Sequence, residues 1–156
     1  MDTMTLLEQI ALANGLQLSF YDASRHLAGD RWLVELRCEV LCPVTDQLTV
    51  RQPAESDPEL RAAILERLGD ELRLQVLRTR NFIDQGERTQ VLEQLLASFK
   101  AHMLDYFAKP TFPARLYQDS WRRLRRECLN ELNRRRQAAE TEDDQGPTDF
   151  SALFRD

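Results

Sequence analysis

Arg31-Trp-Leu-Val-Glu-Leu-Arg-Cys-Glu-Val-Leu-Cys-Pro-Val44 is the stretch that decides the fold. Trp32, Val34, Leu36, Cys38, Val40, Cys42 and Val44 fall on one side; Arg31, Glu35, Arg37 and Glu39 fall on the other. A period of two with one apolar side is the pattern of a strand in a sheet buried on one face. Such a strand needs neighbours to satisfy its backbone groups. Leu16-Gln-Leu-Ser-Phe20 alternates in the same way and supplies one neighbour. Leu72-Arg-Leu-Gln-Val76 supplies another and is read as strand through Ile83, because Gly69-Asp70 interrupts the helical spacing before it. Leu48-Thr49-Val50 is expected to continue the sheet.

Helices take the rest. Thr5 with Glu8 makes a capping box, and Leu6, Leu7 and Ile10 an apolar face, so a short helix is expected before the stop at Asn14-Gly15. Asp57-Pro58-Glu59 is a helix start, with Leu60, Ile64, Leu65 and Leu68 on one face. Val91, Leu92, Leu95, Leu96, Phe99, Met103, Tyr106 and Phe107 define a long amphipathic helix over 88–108, ended by Pro110-Thr-Phe-Pro113. Tyr117, Trp121, Leu124, Cys128 and Leu132 mark the seam of a further helix over 115–139. The expected fold is therefore α+β: a small, mainly antiparallel sheet of three to four strands against three to four helices, with a helical C-terminal half. Residues 1–139 are read as one domain and 140–156 as an acidic tail ending in a short apolar docking segment.

Composition narrows the function classes. The chain has 156 residues, 42% hydrophobic, with 21 basic and 26 acidic side chains. That length suits one domain with a real core. The start of the chain carries no basic and apolar leader pattern, and apolar runs are far short of the ~20 residues that span a bilayer. A cytoplasmic protein without membrane contact is expected. Cys38 and Cys42, four strand residues apart, stand roughly 13 Å from each other, too far for a disulfide. With Cys128 they are read as small buried hydrophobes, and no metal or cofactor is expected. No nucleophile elbow, phosphate loop, dinucleotide fingerprint or paired-histidine metal motif occurs, so an enzyme is not favoured.

Three surfaces remain as candidates. Residues 115–139 carry eight arginines against three acids, among them Arg122, Arg123, Arg125 and Arg126 and the echo Arg134-Arg135-Arg136. Guanidinium groups suit phosphate. The acids that follow, Glu140, Glu142, Asp143 and Asp144, are expected to neutralise the row internally, which places nucleic acid behind protein partners. In the tail, Phe150, Leu153 and Phe154 carry helical spacing after an acidic stretch, as a groove-binding peptide does.

The third surface is an anion pocket from Arg25, His26 and Arg31 of the loop 22–31 with Arg78, Arg80 and Asn81 of the late strand end. Its plainer reading pairs Arg78 and Arg80 with Glu35 or Glu39 across the sheet. Asp22 and Ser24 are expected to bond the local backbone and Gly29 to supply a turn. Asp22-x-Ser24 followed by Gly29 resembles, over these few residues, the cyclic-dinucleotide motif of PilZ domains. The glycine stands further along than in that motif and no RxxxR precedes it, so the family is not assigned. The leading expectation is a non-enzymatic protein-interaction module, self-associating, with phosphate or nucleic-acid binding and the anion pocket as the alternatives.

Overall fold

A computed structural model describes residues 3–144 of the chain. The architecture is α+β, a five-stranded antiparallel sheet carrying helices. The strands are β1 (Thr5–Ala11), β2 (Gln17–Asp22), β3 (Arg25–Ala28), β4 (Arg31–Pro43) and β5 (Glu71–Asp84). The helices are α1 (Asp46–Thr49), α2 (Pro58–Leu68), α3 (Arg88–Phe107) and α4 (Phe112–Asp144). β4 is the axis. Its 13 residues meet β5 along one edge and both β2 and β3, end to end, along the other.

The alternation read from β4 holds. Val34, Leu36, Cys38, Val40 and Cys42 are buried beside Leu18 and Phe20 of β2 and Leu72 of β5. The helices close that face with Leu60, Ile64 and Leu68 of α2, Leu95 and Phe99 of α3, and Tyr117, Trp121 and Leu124 of α4. An aromatic chain ties the layers together. The rings of Phe20 and Phe99 meet edge to face at 5.5 Å, and Phe107 and Phe112 do so at 5.1 Å across the α3–α4 junction. The face turned away from the helices carries Ser19, Tyr21, Glu35, Arg37, Glu39, Leu41 and Leu77.

Three local expectations are corrected. Residues 5–11 form strand β1, not a helix. So short a helix does not hold in isolation, whereas β2 offers an open edge that takes Thr5 through Ala11 in antiparallel register. The strand is then locked from the helix layer, where Lys100 of α3 reaches the Glu8 carboxylate at 2.8 Å. Residues 48–50 do not extend the sheet, because α1 turns the chain there, with Leu48 buried in the core. The 22–31 loop contains strand β3 and a two-residue reversal at Gly29-Asp30, with Gly29 at φ 57°. The local bonding expected of it is present. The Asp22 carboxylate accepts the Ser24 amide, and the Ser24 hydroxyl accepts the Glu35 amide.

The α2 start follows the sequence closely. The Asp57 carboxylate accepts the Glu59 and Leu60 amides, Pro58 opens the helix, and Gly69 closes it at φ 64°. The long last helix starts earlier and ends later than the 115–139 pattern, running on to Asp144. Its buried positions stop at Leu132, and residues 133–142 are all exposed on a helix that continues past the core. No helix among the described residues is long and apolar enough to cross a membrane.

Candidate functional site

The arginines of α4 divide by where the helix turns them. Arg125 grips Glu55 at 2.5 Å, and Arg136 bonds both Asp57 at 3.2 Å and Glu59 at 3.3 Å. Arg135 pairs with Glu131 one turn back, and Arg122 with Asp119. Neutralisation by Glu140 and Glu142 is therefore corrected: among the described residues the opposing carboxylates are those at the start of α2 and those of α4 itself, while the side chains of Asp143 and Asp144 lie outside the described residues. The cause is geometric, because residues 55–59 run past the helix flank that carries Arg125 and Arg136. The Arg125 guanidinium holds the Glu55 carboxyl below the usual carboxylate range. The amides that open α2, then Arg136, do the same for Asp57.

Arg123 and Arg126, with Arg115 and Arg51, have no ion pair among the described residues. Helical spacing sets Arg115, Arg122 and Arg126 on one solvent-facing stripe opposite the buried seam. So of Arg122, Arg123, Arg125 and Arg126, one is spent on holding the α2 start and three are turned outward. Phe150, Leu153 and Phe154 lie outside the described residues.

The six residues of the expected anion pocket gather at one end of the sheet but on different sides of β4. Arg25 lies opposite Leu33, on the face away from the helices, near Glu35 and Arg37. Arg78 and Arg80 lie opposite Leu36 and Val34, on the helix-covered face. His26 packs edge-on against Trp32 at 5.2 Å, and Arg88 of α3 lies over the same indole at 3.7 Å. Arg31 stands beside Asp30. Pairing of Arg78 or Arg80 with Glu35 or Glu39 is corrected, since Glu35 faces Thr79 and Glu39 faces Gln75 on the other face. The Glu35 carboxylate instead takes Arg37 at 3.1 Å. Arg78 extends its guanidinium over the Phe99 ring at 5.6 Å.

The residues that sequence reasoning missed are those of the β5 edge. Among the described residues, β5 pairs with β4 alone, so its second edge has no strand beside it over 14 residues, although the Arg78 and Arg80 guanidinium groups donate to the Leu77 and Thr79 carbonyls there. Native proteins keep such edges short or blunt them with charges and bulges. Here Arg73, Arg78 and Arg80 supply charge, and a bulge sets Asn81 and Phe82 against Leu33. Phe82 sits at φ 57° and is 72% exposed. A left-handed backbone costs an L-residue roughly 1–2 kcal/mol, and this one ends on an aromatic ring left in water. Leu77, half-way along the strand, is 43% exposed on the face without helices. The signal for this edge lay in the same alternating run that named the strand, but edge and centre read alike in one sequence.

Chemistry of a reactive kind is not assembled around the thiols. Cys38, Cys42 and Cys128 are free and buried. Burial, with help from Glu39, pushes the Cys38 thiol up to about 12, and burial raises Cys42 and Cys128 as well. Such thiols stay protonated and inert at neutral pH. No group of three metal-ligating side chains forms among the described residues. In comparisons with known proteins, no family model, no curated protein and no solved structure matches the chain.

Proposed function

We propose that this chain is a non-catalytic protein-interaction module that associates with a second copy through the β5 edge. The observation that supports the reading is Phe82, strained at φ 57° and 72% exposed in a single copy, on a 14-residue edge strand that no other strand covers. Residues held in strained conformations persist where a function repays them. Two β5 strands can pair antiparallel about a two-fold axis at Leu77 once the Arg78 and Arg80 guanidinium groups release the Leu77 and Thr79 carbonyls to the partner strand. That register sets Leu77 on Leu77, Gln75 opposite Thr79 and Arg73 opposite Asn81, so no like charges face each other. It also joins the two sheets into one and removes both edges.

The test is the mass of the full chain in solution at high micromolar concentration, with Leu77→Cys as a crosslinking probe. A dimer is expected, and Leu77→Cys is expected to form a self-disulfide on mild oxidation, since the three native thiols are buried. Leu65→Cys, on the exposed side of α2, is the control and should crosslink no faster than random collision. A monomer in solution, or equal crosslinking of the two variants, overturns the reading.

A second reading rests on the outward stripe of Arg115, Arg122 and Arg126, which suits a polyanion backbone. It predicts binding of a single- or double-stranded oligonucleotide that weakens steeply with salt and is lost in the triple alanine variant. Binding that ignores salt, or none at low salt, removes it.

A further inference from the structure

A hollow of about 750 Å³ opens where three chain reversals meet. One wall is the β1–β2 turn at Ala13–Gly15, the second the end of β4 with α1, and the third the α3–α4 junction at Pro110–Ala114. Two of these walls are fixed to each other. The Asn14 side-chain amide donates to the Phe107 carbonyl at 2.7 Å and to the Lys109 carbonyl at 2.9 Å. The hollow is thus built into the fold, at a size usual for small-molecule sites.

Its lining has a distinct chemistry. The chain has more acidic than basic side chains, 26 against 21, yet no carboxylate lines this hollow and Arg51 is its single ionised group. Arg51 has no ion pair among the described residues, so its guanidinium is available to a bidentate acceptor. Thr45, Gln47 and Thr111 add polar atoms around it. Pro43, Val50, Pro110 and Pro113 make the remainder apolar, and Val50 stands 80% exposed at the rim.

We propose that this hollow binds a small monocarboxylate with an apolar body. One guanidinium offers two parallel donors to one carboxylate, whereas a phosphate would leave the apolar surfaces of the hollow without a partner. The proline and valine surfaces take the hydrocarbon portion. The site is distinct from the β5 edge, and its occupancy does not depend on self-association.

The experiment is a titration of the full-length, isotope-labelled protein with octanoate, acetate, octanamide and inorganic phosphate, read by amide chemical shifts. Octanoate is expected to shift the amides of residues 13–15, 45–51 and 111–115 saturably, more tightly than acetate or octanamide. Arg51→Gln should weaken octanoate about tenfold, the scale of one lost charge-assisted hydrogen-bond pair. Val50→Glu, a change at an exposed position that leaves the core untouched, should abolish binding by placing a carboxylate at the rim. No saturable shift, shifts elsewhere, undiminished binding by Arg51→Gln, or tighter binding of phosphate than of octanoate would each overturn the proposal.

Discussion

Phe99 joins the sheet, α3 and the α3–α4 junction, so its removal tests whether these layers share one core. The ring is 3% exposed, meets Phe20 at 5.5 Å and Phe107 at 6.2 Å, and lies under the Arg78 guanidinium. A buried phenylalanine hides on the order of 150–250 Å². At roughly 25 cal/mol per Å², and with the first side-chain carbon retained, Phe99→Ala loses about 3 kcal/mol of transfer free energy. The rigid neighbours cannot collapse fully into the space, so a total of about 3–5 kcal/mol is expected. Against a folding free energy of about 5–15 kcal/mol, that is a large share.

Urea unfolding at fixed protein concentration, followed by the fluorescence of Trp32 and Trp121, reads the change. With a slope of about 2 kcal/mol per molar, the midpoint should fall by about 1.5–2.5 M. Leu65→Ala, at an exposed site on α2, should shift it by less than about 0.5 M. Arg78→Ala should cost little alone, and a double-mutant cycle with Phe99→Ala should return a coupling of about 0.5–1 kcal/mol for the cation over the ring. A Phe99→Ala loss under about 1.5 kcal/mol would refute the shared core.

Two further outcomes follow from the ionisable groups. Asp57 and Glu55 are held below their ordinary values in the folded chain, so the stability they add is full above the unfolded carboxylate range near pH ~4 and drains away as pH falls through the folded values. The double variant Glu55→Gln/Asp57→Asn should therefore trail the native chain at pH 7, and the gap should narrow as pH falls below ~4, by urea midpoint. A deficit that stays constant as pH falls would show that charge is not the cause. The three cysteines should resist an aromatic disulfide reagent at pH 8 in the native chain and react at once in guanidinium, as buried thiols with raised pKa require. Rapid native labelling of even one would contradict the packing described for the inner sheet face and α4.

What was legible in the residues was whatever local spacing alone dictates. The alternation over 31–44 is one such case, because a half-buried strand must present every second side chain to the core. The α2 start is another, since Asp57 and Pro58 satisfy the first helical amides from within the same few residues. The apolar stripes of α3 and α4 belong here too. β1 shows the limit. Thr5 with Glu8 and Leu6 with Ile10 serve a helix and a strand equally well, and the choice falls to a free edge on β2 and an ion pair with Lys100, 92 residues away. β3 was hidden for a related reason. Its four residues, Arg25–Ala28, show no alternation of their own and become a strand only against the first residues of β4.

The candidate sites were less legible still. The row of arginines on α4 was plain, but its partners were not: Arg125 reaches Glu55 across 70 residues of chain, and Arg136 reaches Asp57 across 79. The hollow around Arg51 draws on three separated segments, none of which carries a motif. The residues themselves determined the strand at the centre, the two long helices, the buried thiols and the charge imbalance of the C-terminal third. Tertiary structure alone decided which strand was left as an edge, which arginines were spent on the fold and where a cation stands without a carboxylate. Periodicity reports which face of an element is apolar, since that is set by backbone geometry over a few residues; contacts between distant segments depend on how the elements are stacked, and no short window of chain encodes that.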